Sequence, residues 1–213
     1  MMLELPDVRL PGDLVLPPRA RGWVVFAHGS GSSRRSVRNR AVAAALQRRR
    51  FATLLFDLLT ETEDRDYEKR FDIERLARRL REATLWLRRQ DALAPRLPIG
   101  YFGASTGAAA ALCAAAELGE RIAAVVARGG RPDLAGDQVT RVRAPTLLIV
   151  GGDDLPVLEL NRAAYALLPA AKKLAIVPGA SHLFEEPGAL EQVAKLAGDW
   201  FADYCVAGAD PDQ

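Results

Sequence analysis

The stretch Gly100-Tyr101-Phe102-Gly103-Ala104-Ser105-Thr106-Gly107 decides how the rest of the chain is read. Gly103 to Gly107 is a G-x-S-x-G. Ile99 to Phe102 run into it with the character of a short buried strand, and the alanine-rich run from Ala108 leaves it as a helix. A serine at a strand-to-helix turn is either a nucleophile lifted clear of the backbone or a small residue filling a tight bend. Both need small neighbours, because strand and helix crowd each other there. With six serines and 17 glycines in the chain, composition alone yields such a pentapeptide in roughly one chain in 25. The pentapeptide therefore settles nothing unless the remaining residues supply partners for Ser105.

Five further apolar runs have strand length: Trp23 to Ala27, Ala52 to Phe56, Ala123 to Ala127, Thr146 to Val150 and Leu174 to Val177. They are continuous rather than alternating, as strands covered on both faces are. Helical stretches separate them, over Ser36 to Arg50, Asp72 to Gln90, Ser105 to Leu118, Pro156 to Leu168 and Pro187 to Tyr204. Asp72 to Gln90 is the clearest. Ile73, Leu76, Leu80, Thr84 and Leu87 share one stripe, with arginines opposite. Strands alternating with helices predict an α/β fold: a doubly wound, mostly parallel sheet of about seven to eight strands with helices on both faces.

Leu3 to Leu16, centred on Pro11-Gly12, has hairpin character and predicts one or two antiparallel edge strands. Residues 1–206 read as one domain and 207–213 as a frayed tail. The polar stretch Thr60 to Arg70 follows a strand. It is a surface loop or a substrate flap on the edge where open α/β sheets place their sites.

The 29 basic and 27 acidic residues leave a net charge of +2, which argues against a nucleic-acid partner. Arg48-Arg49-Arg50 and Arg78-Arg79 read as solvated helix faces. No apolar run approaches the roughly 18 residues of a membrane span. The first residues lack the basic and apolar regions of a signal peptide, so a cytoplasmic protein is expected. Cys113 and Cys205 belong to no C-x-x-C pair and neighbour no histidine, which speaks against zinc. No metal and no other cofactor is expected.

A serine hydroxyl needs a base to take its proton. The chain has two histidines. His28 ends a strand ahead of Ser105 and reads as a structural ring bonded to nearby backbone. His182, in Pro178-Gly179-Ala180-Ser181-His182, follows the strand Leu174 to Val177 and hangs where the base must hang. The base in turn needs a carboxylate to fix its tautomer. Asp153 and Asp154 both follow the strand Thr146 to Val150. Spacing and the helix led by Pro156 favour Asp154. The order Ser105, Asp154, His182, each past a later strand, weighs more than the pentapeptide. The N–H groups of Thr106 and of Ser30, in His28-Gly29-Ser30-Gly31, are the expected oxyanion donors.

With these residues in place, the chain resembles the α/β-hydrolases, and most of all their small, capless dienelactone-hydrolase-type branch. The likeness covers Val24 to Tyr204. It rests on FAHGSGSS (26–33), GYFGASTG (100–107), APTLLIVGGDDLPV (144–157) and PGASHLFEEPG (178–188). It implies Ser105, Asp154 and His182 as a triad and Ser30 and Thr106 as the oxyanion hole. Dienelactone hydrolases proper carry cysteine at the nucleophile position. Here it is serine, and Cys113 lies about two helical turns further on. The implied activity is therefore that of a serine esterase or lactonase acting on a small molecule. An acyltransferase on the same triad and a non-catalytic hydrolase-like domain are the alternatives.

Only 17 residues separate Ala127 from Pro145, which leaves no room for a cap domain. Within that gap, Arg128 and Arg131 in Arg128-Gly129-Gly130-Arg131-Pro132-Asp133 are candidate ligands for a substrate anion. The competing expectation is an ion pair with Asp133 or Asp153.

Overall fold

The computed structural model describes residues 1–90 and 97–206; the expected tail, 207–213, lies outside the described residues. Eight strands form one sheet: β1 (Met2–Glu4), β2 (Arg9–Val15), β3 (Gly22–Ala27), β4 (Phe51–Phe56), β5 (Ile99–Ala104), β6 (Ala124–Arg128), β7 (Thr146–Gly151) and β8 (Lys172–Val177). Their spatial order is β1-β2-β4-β3-β5-β6-β7-β8. From β4 to β8 every pairing is parallel, while β1 and β2 add antiparallel at the edge. The N-terminal hairpin thus supplies two edge strands.

Among the described residues the α-helices are α1 (Val37–Arg48), α2 (Glu61–Asp64), α3 (Ile73–Arg88), α4 (Thr106–Leu118), α5 (Leu155–Leu167) and α6 (Ala189–Tyr204). Every residue of β3 to β7 is buried, because each strand feeds two cores. Trp23, Val25 and Ala27 of β3 join the core under α3, α4 and α5. Val24 and Phe26 join the one under α1 and α6. This two-faced burial is why the strands read as continuous apolar runs. In α4, Ala108 to Ala111 are all fully buried, so the helix lies close on the sheet.

The segment between β6 and β7 forms only a kinked 3₁₀ turn, Pro132–Arg141, and no cap domain. Thr60 to Arg70 is more ordered than a plain loop. It holds α2 and begins the 3₁₀ turn Glu68–Phe71. A capping box starts it: Glu63 N–H donates to Thr60 Oγ1, and Thr60 N–H donates to the Glu63 carboxylate.

Candidate active site

All the sequence-predicted site residues lie at the carboxyl ends of parallel strands, the edge where open α/β sheets carry their sites. β5 ends at Ala104, and Ser105 follows with φ of 52° and ψ of −121°. A non-glycine residue at positive φ is strained and persists only where its surroundings enforce it. Here they do. Ser105 N–H donates to the Arg128 carbonyl at 3.2 Å, and Arg131 N–H donates to the Ser105 carbonyl at 3.1 Å. A Cβ on Gly103 would lie 2.5 Å from Ala108 Cα, and one on Gly107 would collide with the Ala27 and His28 carbonyls. The two glycines of the pentapeptide are therefore required by contact, and the serine is pushed out of the bend.

His182 lies beyond β8, in the loop before α6. Its Nδ1 lies 2.6 Å from Asp154 Oδ2. Asp154, one residue ahead of α5, is mostly buried, whereas Asp153 is exposed. A carboxylate at that distance favours the tautomer that carries its proton on Nδ1. The ring rests over Gly129. A Cβ there would lie 3.5 Å from its Nδ1 and Cε1. Gly129 also has φ of 51°. Arg128, whose carbonyl holds Ser105, is the residue before it, so the histidine loop and the serine elbow meet across the end of β6.

The loop Gly29 to Ser33 completes the edge. A Cβ on Gly29 would lie 3.0 Å from Ser105 Cβ and 3.1 Å from the Ala104 carbonyl, so a side chain there would press on the serine elbow. His28 anchors the loop from below. Leu58 N–H donates to its Nε2 at 3.0 Å, and its Nδ1 lies 3.0 Å from the Gly29 carbonyl. Burial pushes its pKa below the usual imidazole range, which keeps the ring neutral and suited to one donor and one acceptor role. The expected oxyanion donors differ in their surroundings. Thr106 opens α4, where the first N–H groups lack intrahelical acceptors and carry the positive end of the helix dipole. Ser30 N–H is already engaged, donating to Thr106 Oγ1 at 2.8 Å.

The two candidate arginines part ways. Arg131 is paired with Asp133 through two bonds of 2.8 and 2.7 Å. Arg128 is only 7% exposed and, among the described residues, has no carboxylate partner. One of its guanidinium nitrogens donates to Asn39 Oδ1 at 3.4 Å, its carbon lies 5.6 Å from the Phe184 ring centroid, and its Nε is unpartnered. Burial, and then the nearby Arg38 charge, push its pKa down to about 10. Arg38 and Asn39 lie in no motif, and Phe184, though it lies within PGASHLFEEPG, was not legible as a neighbour of Arg128. Glycine-rich Arg128-Gly129-Gly130 did carry a signal, since its first glycine makes room for His182.

The comparisons agree with this fold. The family described as "alpha/beta hydrolase fold" matches residues 22–144. A dienelactone hydrolase structure from Anabaena variabilis superposes with a TM-score of 0.92 at 55% identity, covering 96% of each chain. Est1E from Butyrivibrio proteoclasticus has a TM-score of 0.80 at 17% identity over 95% of this chain and 97% of its own, which is a likeness of fold. Proteins from two Mycobacterium tuberculosis strains, each named "Putative phosphoribosyl transferase", are 62% identical over 204 residues, 96% of this chain. The chain spans about half the length of these relatives (46%). By its family match, its elbow and its 55% identity to a dienelactone hydrolase over nearly the full length, the chain belongs to the α/β-hydrolases, in their dienelactone-hydrolase-type branch.

Proposed function

We propose that this chain is a serine hydrolase that cleaves a small ester or lactone through an acyl-enzyme on Ser105. The observation that carries the reading is the 2.6 Å bond from His182 Nδ1 to Asp154 Oδ2, made by a ring that rests on Gly129, next to the Arg128 carbonyl that holds Ser105 at positive φ. In this reading His182 Nε2 takes the Ser105 proton as Oγ attacks the carbonyl carbon. Donors at the start of α4 hold the oxyanion. His182 then protonates the leaving alcohol, and water, activated by the same ring, clears the acyl group. With no cap domain between β6 and β7, water reaches the site as the acceptor in this reading.

Arg128, buried and without an acidic partner among the described residues, supports a substrate that carries an anionic group. The name of the longer mycobacterial relatives belongs to another chemistry. Phosphoribosyl transfer displaces pyrophosphate from a sugar carbon and uses no acylated serine. We therefore attribute that name to the part of those proteins that this chain does not match. Two free cysteines suit a cytoplasmic setting, and no helix among the described residues is long and apolar enough to cross a membrane.

Hydrolysis of p-nitrophenyl acetate tests the reading. Ser105→Ala is expected to lower kcat by about 10³-fold or more. Cys113→Ser should stay near wild type, because burial pushes that thiol up to about 11 and keeps it protonated. Activity that survived the first change and vanished with the second would place the nucleophile elsewhere.

A further inference from the structure

The contact between Ser30 and Thr106 changes the expected oxyanion hole. Thr106 Oγ1 accepts the Ser30 N–H at 2.8 Å, so that N–H does not point freely at a substrate oxygen. The hydroxyl has accepted one bond and still holds a proton. Among the described residues that proton has no acceptor, and Thr106 is only 2% exposed, so bulk water does not take it readily. A buried donor left unsatisfied is destabilising, so a group that accepts from it is favoured there. Thr106 N and Cβ are bonded to the same Cα, so the hydroxyl on Cβ lies close to the Thr106 N–H. Both donors sit at the start of α4, next in sequence to Ser105.

We propose that the Thr106 hydroxyl is itself an oxyanion donor, held in place by the Ser30 N–H. The inference rests on the serine-hydrolase reading and deepens it. As Ser105 Oγ bonds to the carbonyl carbon, its proton passes to His182 Nε2 and the carbonyl π pair moves onto oxygen. That oxygen accepts from Thr106 N–H and from Thr106 Oγ–H. On collapse the pair returns, the bond to the leaving alcohol breaks, and that alcohol takes the proton from His182. The Ser30 N–H acts at one remove. By donating to Oγ1 it fixes the rotamer and makes the hydroxyl a stronger donor. O–H donors to an oxyanion are short and strong, so this geometry favours the transition state over the neutral carbonyl. The signal was legible only in part: Thr106 was expected to give its N–H, and nothing in the sequence joined its side chain to Ser30.

Thr106→Val tests this, because valine keeps the shape and the N–H and removes the hydroxyl. The same change frees the Ser30 N–H to reach the oxyanion directly. We expect kcat for p-nitrophenyl acetate to fall by on the order of 10²-fold with KM little changed. Phosphonylation of Ser105 by a fluorophosphonate should slow in parallel, and Thr106→Ser should restore most of both rates. If the valine chain fails to fold, Thr106→Ala is expected to show the same losses. A Thr106→Val or Thr106→Ala rate at or above wild type would overturn the inference, since the hydroxyl would then only block Ser30. A wild-type chain that neither hydrolyses the ester nor reacts at Ser105 would overturn the serine-hydrolase reading and this inference with it.

Discussion

Asp153 and Asp154 are adjacent and chemically alike, yet only Asp154 touches His182. The difference is one of position: Asp154 sits against the start of α5, mostly buried, while Asp153 faces solvent. Asp154→Asn is expected to lower kcat by about 10²–10⁴-fold, because an amide there no longer fixes the imidazole tautomer. Asp153→Asn should stay close to wild type. Equal losses in the two variants would contradict the assignment. Arg128 poses a different test. A buried guanidinium without an acid is expensive, and an incoming anion would offset that cost. Arg128→Ala should erase any preference for anionic over neutral esters; an unchanged preference would remove Arg128 from the site. Residue types with a chemical grammar, Ser105, Asp154 and His182, were legible in the sequence. Contacts made by side chains without one, such as Asn39 and Phe184 around Arg128, depend on how α1 and the histidine loop pack and were not.

At the scale of the element, the elbow is the part most tightly specified by sequence. Gly103 and Gly107 are read directly as a pattern, and the contacts explain it: each sits where a side chain would enter the backbone of a neighbouring element. Gly107→Ala is expected to cost stability by about 1–3 kcal/mol or more, through overpacking against the carbonyls of Ala27 and His28. A Tm equal to wild type would contradict that packing. The segment after β4 was less legible. Its polarity suggested a loop, but Thr60-Glu61-Thr62-Glu63 spells a capping box, and that local signal won. Arg70, at the far end, then lies near Gly31, so the segment flanks the loop beside the serine.

At the scale of the molecule, fold class followed from alternation of strand and helix, whereas strand order did not. No periodicity says that β4 lies outside β3, or that β5 returns to β3's other side. That order comes from crossover handedness and from which faces need covering. The antiparallel hairpin at the edge is tied down by charge as well as by pairing. Asp7, in the turn between β1 and β2, receives Arg78 at 2.7 Å and Arg79 at 2.8 Å from α3. Those arginines hold its carboxyl down at about 2, from an ordinary 3.8. A depressed carboxyl stabilises the fold above its unfolded pKa, and the contribution is lost as pH falls through the folded one. Asp7→Asn should therefore cost under about 1 kcal/mol near neutrality, the pair being half exposed. The gap to wild type in thermal unfolding should close as pH drops from 3.8 towards 2. A gap that stayed constant over that range would show the carboxylate charge to be irrelevant.

The central claim is that His182 and Asp154 activate Ser105. Reaction of the intact chain with a fluorophosphonate, followed by mass mapping of the modified peptide, tests it most directly. The account predicts one adduct, on Ser105, formed rapidly by the wild-type chain and far more slowly by His182→Ala. A folded wild-type chain that stays unmodified, or an adduct on another residue that persists in Ser105→Ala, would contradict it.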